Sequence, residues 1–435
     1  MKNLVRNEQG ISLIMAIMTG LFLSLLGYVT VSTVILDARS RAGHLQSTQA
    51  FWLAESGAEL ARRWLRFQDP PPAGIAPFVQ YDHVSAGNGT YTVTIDPDDA
   101  NATTYLKAYT IVSSGQVGDV QRRIEIEVKA TTFNYYAYMT GDEGGTIWFH
   151  GGDVVEGPTH SNDQISITQN PVFMGKLTSS ANSFNQGNPF NPDFQQGYQL
   201  GVPPIAFPTQ QDVINNYWSL NSEPPGLVID ATYSKHSSIV FNGDGTLTYN
   251  VWHYNWWGFP VYDVLNESAS IAALNGLIWV DGDVQVEGVV DGEVSIVSTD
   301  NMYITDDIVY ASSDAAGRPP EGCDDLLGLV SFKNIIVDDN TANRDNLVVN
   351  GALLTLGNSF TVENYNQGSP RGDLTIWGSL SQKVRGPVGT FSWGGWTSTG
   401  YDKDYHYDSR LAERPPPYFP ATGQYHFTYW KELTD

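Results

Sequence analysis

The feature that most constrains this chain is an uncharged stretch near its start. No Asp, Glu, Lys or Arg occurs in the 26 residues from Ile11 to Leu36, and Asp37 is the first charged residue after them. As a helix that rises ~1.5 Å per residue, this stretch would be about 39 Å long, which exceeds the ~30 Å hydrocarbon core of a bilayer. The sequence therefore predicts a membrane-spanning helix that precedes the rest of the fold.

The residues beside this stretch indicate its orientation. Lys2 and Arg6 lie before it, so the positive-inside tendency holds the N-terminus in the cytoplasm and places the chain after Asp37 outside. An ordinary secretory signal has a shorter apolar core of ~7–15 residues followed by a small-residue cleavage site, whereas DARSRAG follows here. We therefore expect the helix to be retained on the protein.

The opening MKNLVRNEQGI, followed by the apolar stretch, resembles the class III signal of type IV pilins and their relatives. The resemblance implies a leader over 1–10 and cleavage between Gly10 and Ile11 by a prepilin peptidase. It also implies Glu as the fifth mature residue, where this chain has Met15. The stretch QAFWLAESGAELARRWL resembles the segment after the anchor in PilX-like minor pilins. Met15 favours a tip or low-copy position over that of a major pilin.

A single long helix is predicted over 11–69, because no proline occurs between Ile11 and Pro70. Helical spacing predicts a buried stripe beyond the membrane, formed by Phe51, Ala54, Ala58, Ala61 and Leu65. Within the membrane, small residues recur on one side of the helix: Ala16, Gly20, Ser24 and Gly27. Such a ridge allows close packing against the helices of other pilins, although membrane helices are generally rich in small residues.

Two regions rich in β-strand patterns follow the helix. Alternation in GTYTVTIDP (89–97) and RRIEIEVKA (122–130) predicts a small β module over 70–130, onto which the helix folds. Beyond it, IWFHGGDVVEG from Ile147 parallels IWVDGDVQVEG from Ile278. Strands and turns that repeat in this way predict a β-helix-like domain over 131–435, with a β-sandwich as the alternative. The fold class is thus mainly β with one long N-terminal α-helix.

Several later segments resemble a domain family of uncharacterised function found in bacterial envelope proteins. They include GLVSFKNIIV, LVVNGALLTL, GSLSQKVRGPVG and GYDKDYHYDSRLAERPPPYFP. That resemblance implies an architecture and a location, and assigns no chemistry.

An aromatic segment, YNVWHYNWWGFPVY, runs from Tyr249 to Tyr262 inside a predicted insertion at about 180–270. Its candidate ligand-binding residues are Trp252, Tyr254, Trp256 and Trp257. Aromatic side chains with a polar end are typical both of packed insertions and of recognition surfaces. The sequence leaves two interpretations open: packing against the β body, or binding of a surface glycan.

Composition and motifs exclude several functions. A net charge of −24 argues against nucleic acid, because phosphate binding needs clustered Lys and Arg. The single cysteine, Cys323, excludes an intramolecular disulfide. His150, Asp153, His160 and Asp163 match no zinc spacing, and no acidic loop completes a twelve-residue calcium loop. We therefore expect no cofactor or metal, with calcium as the alternative at the acidic loops.

No Ser-His-Asp signature, nucleophile elbow or phosphate-binding loop is present in the sequence, so we do not expect an enzyme. These patterns predict a minor pilin-like subunit of a type IV pilus or related filament that acts in assembly priming, surface adhesion or both. It would reside in the bacterial inner membrane before assembly and in a surface filament afterwards. The alternatives are an anchored protein that binds or cleaves polysaccharide, with Asp283 and Glu287 as candidate carboxylates, and a static scaffold.

Overall fold

The computed structural model of the chain describes residues 5–68, 72, 74–98, 108–219, 226–232, 235–392 and 396–433. Of residues 5–10 and 215–219 it describes the backbone only. Residues 1–4 of the predicted leader and residue 69 of the predicted helix lie outside these ranges.

The helices are α1 (Val5–Arg66), α2 (Gln210–Ser219) and α3 (Arg410–Glu413). The first strands are β1 (Phe78–Ala86), β2 (Gly89–Pro97), β3 (Ala108–Val117) and β4 (Val120–Thr132). The next group comprises β5 (Tyr138–Asp142), β6 (Trp148–Phe149), β7 (Val154–Val155), β8 (Thr159–Ser161), β9 (Ser166–Gln169), β10 (Val172–Phe173), β11 (Leu177–Ser179), β12 (Asn185–Phe190), β13 (Asp193–Phe194) and β14 (Tyr198–Leu200).

The remaining strands, after α2, are β15 (Leu227–Ala231), β16 (Lys235–Asn242), β17 (Thr246–Tyr254), β18 (Pro260–Ser270), β19 (Leu277–Gly282), β20 (Val284–Val290), β21 (Glu293–Ser298), β22 (Met302–Tyr310), β23 (Leu326–Ser331), β24 (Ile335–Val337), β25 (Leu347–Thr355), β26 (Phe360–Val362), β27 (Pro370–Val384), β28 (Gly389–Phe391), β29 (Thr397–Tyr407) and β30 (Ala421–Leu433).

The C-terminal part of α1 packs on a five-stranded antiparallel sheet in the order β1, β2, β3, β4, β30. Four members of the predicted stripe are buried there, namely Ala54, Ala58, Ala61 and Leu65, while Phe51 is half-buried. Small residues let the helix approach the strands closely. A Cβ at Gly115 of β3 would lie 2.0 Å from the carbonyl oxygen of Ala50 on α1. A side chain at Gly115 would therefore displace the helix.

The larger part of the chain forms a solenoid, by which we mean the coils built from β5 to β29. Its longest parallel ladder runs β15, β19, β21, β23, β25, β27, β5, β8, β11, β14. A second ladder joins β16, β20, β22, β24 and β26, and a third joins parts of β20, β22, β25, β27, β29, β7, β10 and β13. Parallel strands stacked in this way bury a continuous apolar interior, as neighbouring coils do in repeat proteins.

The chain enters this solenoid at its middle. β5, the first strand of the solenoid in the sequence, pairs with β27, one of its last, through Leu380 and Tyr138. The coils after β5 extend the stack in one direction to β14. The chain then returns to the far end and resumes at β15. We call the contact between the β27–β29 coil and the β5–β7 coil the seam.

The return from β14 to β15 lies along the outside of the first ladder. Ile205, Phe207 and Val213 are buried there with side chains of the ladder strands such as Met139 and Leu354. Gln210 Nε2 donates to the carbonyl of Phe332, 3.0 Å away. The predicted insertion at about 180–270 is thus not one unit, because β13, β14 and β16 belong to the solenoid ladders, and β12 pairs with β9 in a separate parallel sheet of β6, β9 and β12. The returning segment and the β17–β18 hairpin depart from these parallel pairings.

The last strand corrects the predicted extent of the β-helix-like domain, 131–435. β30 does not belong to the solenoid, because it pairs antiparallel with β4 from Ala421–Thr132 to Leu433–Arg123. The solenoid is therefore inserted between β4 and β30 of the small sheet. The chain passes between the small sheet and the solenoid twice, after Thr132 and before Ala421. These two connections lie side by side, because Phe133 N donates to the carbonyl of Pro420 and Asn134 Nδ2 donates to that of Leu411.

The structure confirms the predicted fold class, mainly β with one long N-terminal helix. A β-sandwich is built from packed antiparallel sheets. Among the described strands, antiparallel pairs are confined to the small sheet, to β16–β18 and to β28–β29. The parallel ladders match the pairing of a β-helix rather than that of a sandwich.

Candidate functional site

The N-terminal part of α1 makes almost no contact with the rest of the chain. Residues 11–36 are exposed, apart from a half-buried Ser32, and within the described residues α1 alone is long and apolar enough to cross a membrane. Its hydroxyl groups are satisfied within the helix: Ser24 Oγ donates to the carbonyl of Gly20 at 2.8 Å, and Thr19 Oγ1 to that of Met15 at 2.7 Å. This internal pairing suits a helix in an apolar phase.

The predicted processing and packing residues lie on this exposed part of α1. The helix is continuous through Gly10 and Ile11, so the predicted cleavage point lies inside the described helix and not at its first residue, Val5. Ala16, Gly20, Ser24 and Gly27 are exposed, and a Cβ at Gly20 or Gly27 would have no neighbour within 4 Å. The ridge is thus open for contact with another helix.

The aromatic segment forms the β17–β18 hairpin, which extends the second ladder beyond β16 through antiparallel pairs. The turn at its end projects past Lys235, the first residue of β16. There Trp256, Trp257 and Phe259 expose 94%, 78% and 67% of their surface, and Tyr254 and Tyr262 are also exposed. We call residues 254–262 the aromatic tip. The packing interpretation of this segment is therefore wrong for the tip.

Trp252 differs from the other candidate ligand-binding residues. It is half-buried, stacks on His236 with ring centroids 5.7 Å apart, and tilts against Tyr262 at 6.1 Å. Trp252 therefore supports the hairpin, while Trp256 and Trp257 are exposed beyond it. Tyr254 is exposed as well, but its ring also meets His236 edge-on, with ring centroids 5.3 Å apart. Phe259 lies among them at the tip; it belongs to the quoted aromatic segment, although it was not among the predicted binding residues.

A buried ionic cluster lies at the seam. Arg385 Nη1 is 2.8 Å from Glu143 Oε2, and Lys403 Nζ is 3.0 Å from Asp153 Oδ2. Each pair joins the β5–β7 coil to the β27–β29 coil. Ser161 Oγ donates to Glu143 at 2.8 Å, and the Arg385 guanidinium lies 4.0 Å from the ring centre of Phe149. Burial lowers the pKa of Lys403, although Asp153 opposes this shift.

The four residues considered as metal ligands are used by other contacts. The His150 backbone N–H donates to Asp153 at 3.0 Å, and His160 lies between Thr178 Oγ1 and Asn162 Oδ1, at 2.8 and 2.9 Å. Asp163 accepts from the backbone N–H of Glu143. Among the described residues, no group of three or more His, Cys, Asp or Glu side chains is placed to hold a metal ion.

The candidate carboxylates of the polysaccharide alternative each have a local partner. Asp283 Oδ1 accepts from the backbone N–H of Asn301 at 2.9 Å, and Glu287 Oε2 accepts from Thr305 Oγ1 at 2.7 Å. Both contacts connect β20 to the next coil. In this structure the two carboxylates form hydrogen bonds between neighbouring coils.

Residues 104–182 match the family described as Domain of unknown function (DUF4900), a span that includes β3 and β4 of the small sheet and β5 to β11 of the solenoid. This match lies before the later segments that resemble an envelope-protein family. No curated protein matches the chain. Among solved structures, the chain is similar to the competence-associated pilin ComZ from Thermus thermophilus, with 13% identity, a TM-score of 0.32, and coverage of 89% of this chain and 97% of that chain. A TM-score this low does not establish a common fold.

Proposed function

We propose that this chain is a minor pilin-like subunit that is cleaved between Gly10 and Ile11. In this proposal the subunit carries its solenoid at the tip of a type IV pilus or related filament. The main support for this proposal is the structure of α1. One uninterrupted helix joins an exposed apolar segment, directly after the leader-like sequence, to a stripe packed on an antiparallel sheet. Such a helix can lie in the inner membrane and later pack among other pilin helices.

The size and position of the solenoid support a tip or low-copy position. It is inserted in the small sheet and far exceeds that sheet in length, so repeating it at every subunit would crowd a filament. Met15 lies in the exposed part of α1, where pilin-like subunits usually carry Glu. A buried terminal amine without a carboxylate partner is costly in an apolar bundle. Assembly priming and surface adhesion both follow from such a position.

The first test is mass spectrometry of the N-terminal peptide of the protein from its native cells. We expect a chain that starts at Ile11, and expect Gly10→Val to retain the first ten residues because added bulk at the cleavage point blocks the peptidase. Gly43→Val is the matched control, since a Cβ at Gly43 meets nothing within 4 Å and lies beyond the apolar segment. A wild-type chain that still starts at Met1 would refute the proposal.

A second test concerns the position in the filament. We expect Met15→Glu to raise the number of copies per filament, because a carboxylate there can pair with the terminal amine of a neighbouring subunit. Met18→Glu places the same charge one turn away and serves as the control. Equal copy numbers for wild type and Met15→Glu would show that Met15 does not restrict the subunit to the tip.

A further inference from the structure

We propose that the aromatic tip inserts into the interface of a zwitterionic lipid bilayer other than the one that α1 spans. Lipid binding by the tip and cleavage at Gly10 are separate properties, so either can fail alone. Four features of the hairpin lead to this assignment: its charge distribution, its turn hydrogen bonds, the position of its nearest ions and the kind of polar groups at its tip.

The end of the hairpin carries no formal charge, whereas the chain as a whole is strongly acidic. No Asp, Glu, Lys or Arg occurs in the 18 residues from Gly245 to Tyr262, in a chain of net charge −24. Large aromatic side chains that are this exposed are unfavourable in water, and Trp and Tyr are enriched at the level of lipid headgroups. A charge-free aromatic end on an acidic protein fits a bilayer surface of low charge.

The turn of the tip satisfies its own backbone. Asn255 Oδ1 accepts from the N–H groups of Trp257 and Phe259 at 2.9 and 3.0 Å. The Asn255 N–H donates to the carbonyl of Phe259, and the Gly258 N–H donates to that of Asn255, both at 2.9 Å. Gly258 has φ +78°, which allows this closed turn. Unpaired backbone groups oppose entry into lipid, and four N–H groups of this turn are paired within it.

The charged groups nearest to the aromatic tip limit the depth to which the tip can enter a bilayer. Lys235 Nζ and His253 Nδ1 lie 3.7 and 3.3 Å from Asp263 Oδ2, so a polar belt crosses the hairpin behind the tip. Three residues of β18, from Pro260 to Tyr262, separate this belt from the turn. At ~3.3 Å per strand residue, the tip is about 10 Å long, which equals the depth of interfacial insertion of ~5–10 Å.

A glycan fits this surface less well. Sugar recognition combines stacking with hydrogen bonds to hydroxyl groups, which polar side chains beside the aromatic rings supply. In the tip, the side-chain oxygen of Asn255 is already used by the turn. The side-chain polar groups left at the tip are the Asn255 amide N–H groups, the indole N–H groups and the tyrosine hydroxyls, and the last two are also the groups that favour a headgroup region.

The hairpin is connected to the apolar segment of α1 through the solenoid and the small sheet. In the first ladder, β15 at the hairpin end lies five strand spacings from β27 at the seam, where the small sheet is attached. At ~4.8 Å per spacing this is about 24 Å. On α1, 14 residues separate Leu36 from Ala50, the first buried residue on the sheet, or about 21 Å of helix. The path from the tip to the anchor runs through both of these lengths.

The test uses the full chain held by α1 in lipid nanodiscs. These are mixed with phosphatidylcholine vesicles that contain a brominated lipid, and co-flotation and quenching of tryptophan fluorescence are measured. We expect binding and quenching for the wild type, and at least about tenfold weaker vesicle partitioning for Trp256→Ser/Trp257→Ser/Phe259→Ser, which removes the exposed aromatic area. Adding phosphatidylserine to the vesicles at low salt should weaken wild-type binding, because the chain is acidic.

Trp396→Ser is the matched control. Trp396 is 78% exposed, like Trp257, but lies before β29 and outside the hairpin. We expect this variant to bind vesicles as the wild type does, and both variants to keep the circular dichroism spectrum and melting temperature of the wild type. Equal loss in Trp396→Ser and in the triple variant would indicate general stickiness and overturn the proposal.

Three further outcomes would also overturn it. One is that the wild type binds vesicles no better than the triple variant. Another is that binding occurs only when the vesicles carry glycan or protein, which would assign the tip to those partners. The third is that quenching arises only from brominated lipid placed in the nanodisc, which would put the tip against the membrane of its own anchor.

Discussion

The seam and the ordinary contacts between coils join parallel strands in the same way but use different chemistry. Between successive coils, the interior is apolar, as where Val286, Ile304 and Val337 follow one another along the second ladder. At the seam, two ion pairs are buried, Glu143–Arg385 and Asp153–Lys403. Successive coils are held in order by the chain itself, whereas the seam joins residues about 240 positions apart. Buried ions penalise a misplaced register, which an apolar contact tolerates.

The largest expected effect is that of Arg385→Met. This substitution leaves the Glu143 carboxylate buried without its cation, and breaking such a pair destabilises a protein by about 3–5 kcal/mol. Urea unfolding of the full chain, followed by near-ultraviolet circular dichroism, measures the loss. A loss below about 1 kcal/mol would mean that the seam behaves like an apolar contact.

The double variant Glu143→Gln/Arg385→Met sharpens the comparison. It removes both charges and keeps an oxygen for the hydroxyl of Ser161, so we expect it to be at least about 2 kcal/mol more stable than Arg385→Met alone. The same unfolding experiment completes a double-mutant cycle with Glu143→Gln. Additive losses would contradict a direct coupling across the seam.

The stability of the coil next to the seam should depend on pH, because this coil contains His160. Burial lowers the pKa of His160 below its usual 6.5, although the hydrogen bond with Asn162 opposes this. Above pH 6.5 the ring is neutral in both states. As the pH falls below 6.5, the unfolded chain takes up the proton first, so the stability of the fold decreases until the pH passes the lower folded pKa. Unfolding from pH 7 to 5 should be less pH-dependent in His160→Gln, and an unchanged slope would contradict this role.

The smallest effect is expected at a surface ion pair between coils. Lys333 Nζ lies 2.7 Å from Asp300 on the solvent side of the solenoid, with the same pairing of charges as at the seam but without burial. Lys333→Ala should cost about 0.5 kcal/mol or less, and the loss should vanish at high salt. A loss as large as that of Arg385→Met would remove the distinction between buried and exposed pairs.

Local patterns in the sequence predicted local structure. The strand predicted from GTYTVTIDP is observed as Gly89–Pro97, and the alanine stripe of α1 is buried because a 3.6-residue period specifies one helix face. The repeat between Ile147 and Ile278 is real as a strand–turn–strand pattern, but its two copies occupy different ladders. Trp148 lies in β6, which pairs with β9, while Trp279 lies in β19, which pairs with β21. A strand–turn–strand pattern in the sequence does not specify the ladder in which its strands pair.

Contacts between distant residues were not predictable in this way. Nothing near Tyr138 indicates that β5 pairs with β27, and nothing near Glu143 indicates Arg385 as its partner. The pairing of β30 with β4 in the small sheet was not predictable either, because the alternating pattern of β30 would suit an edge strand of any sheet. At the candidate site, sequence identified the aromatic segment. It could not decide between packing and exposure, because both uses require the same residue types.

The two connections at Thr132 and Ala421 also have a mechanical consequence. Because β4 and β30 leave the small sheet at the same end, as neighbouring antiparallel strands, a pull on the solenoid is divided between two backbones. A protease that cuts before Ala421 would leave the solenoid covalently joined to α1 through β4, and one that cuts after Thr132 would leave it held by the pairing of β30 with β4. In the filament position that we propose, a subunit nicked once at either connection would thus keep its solenoid.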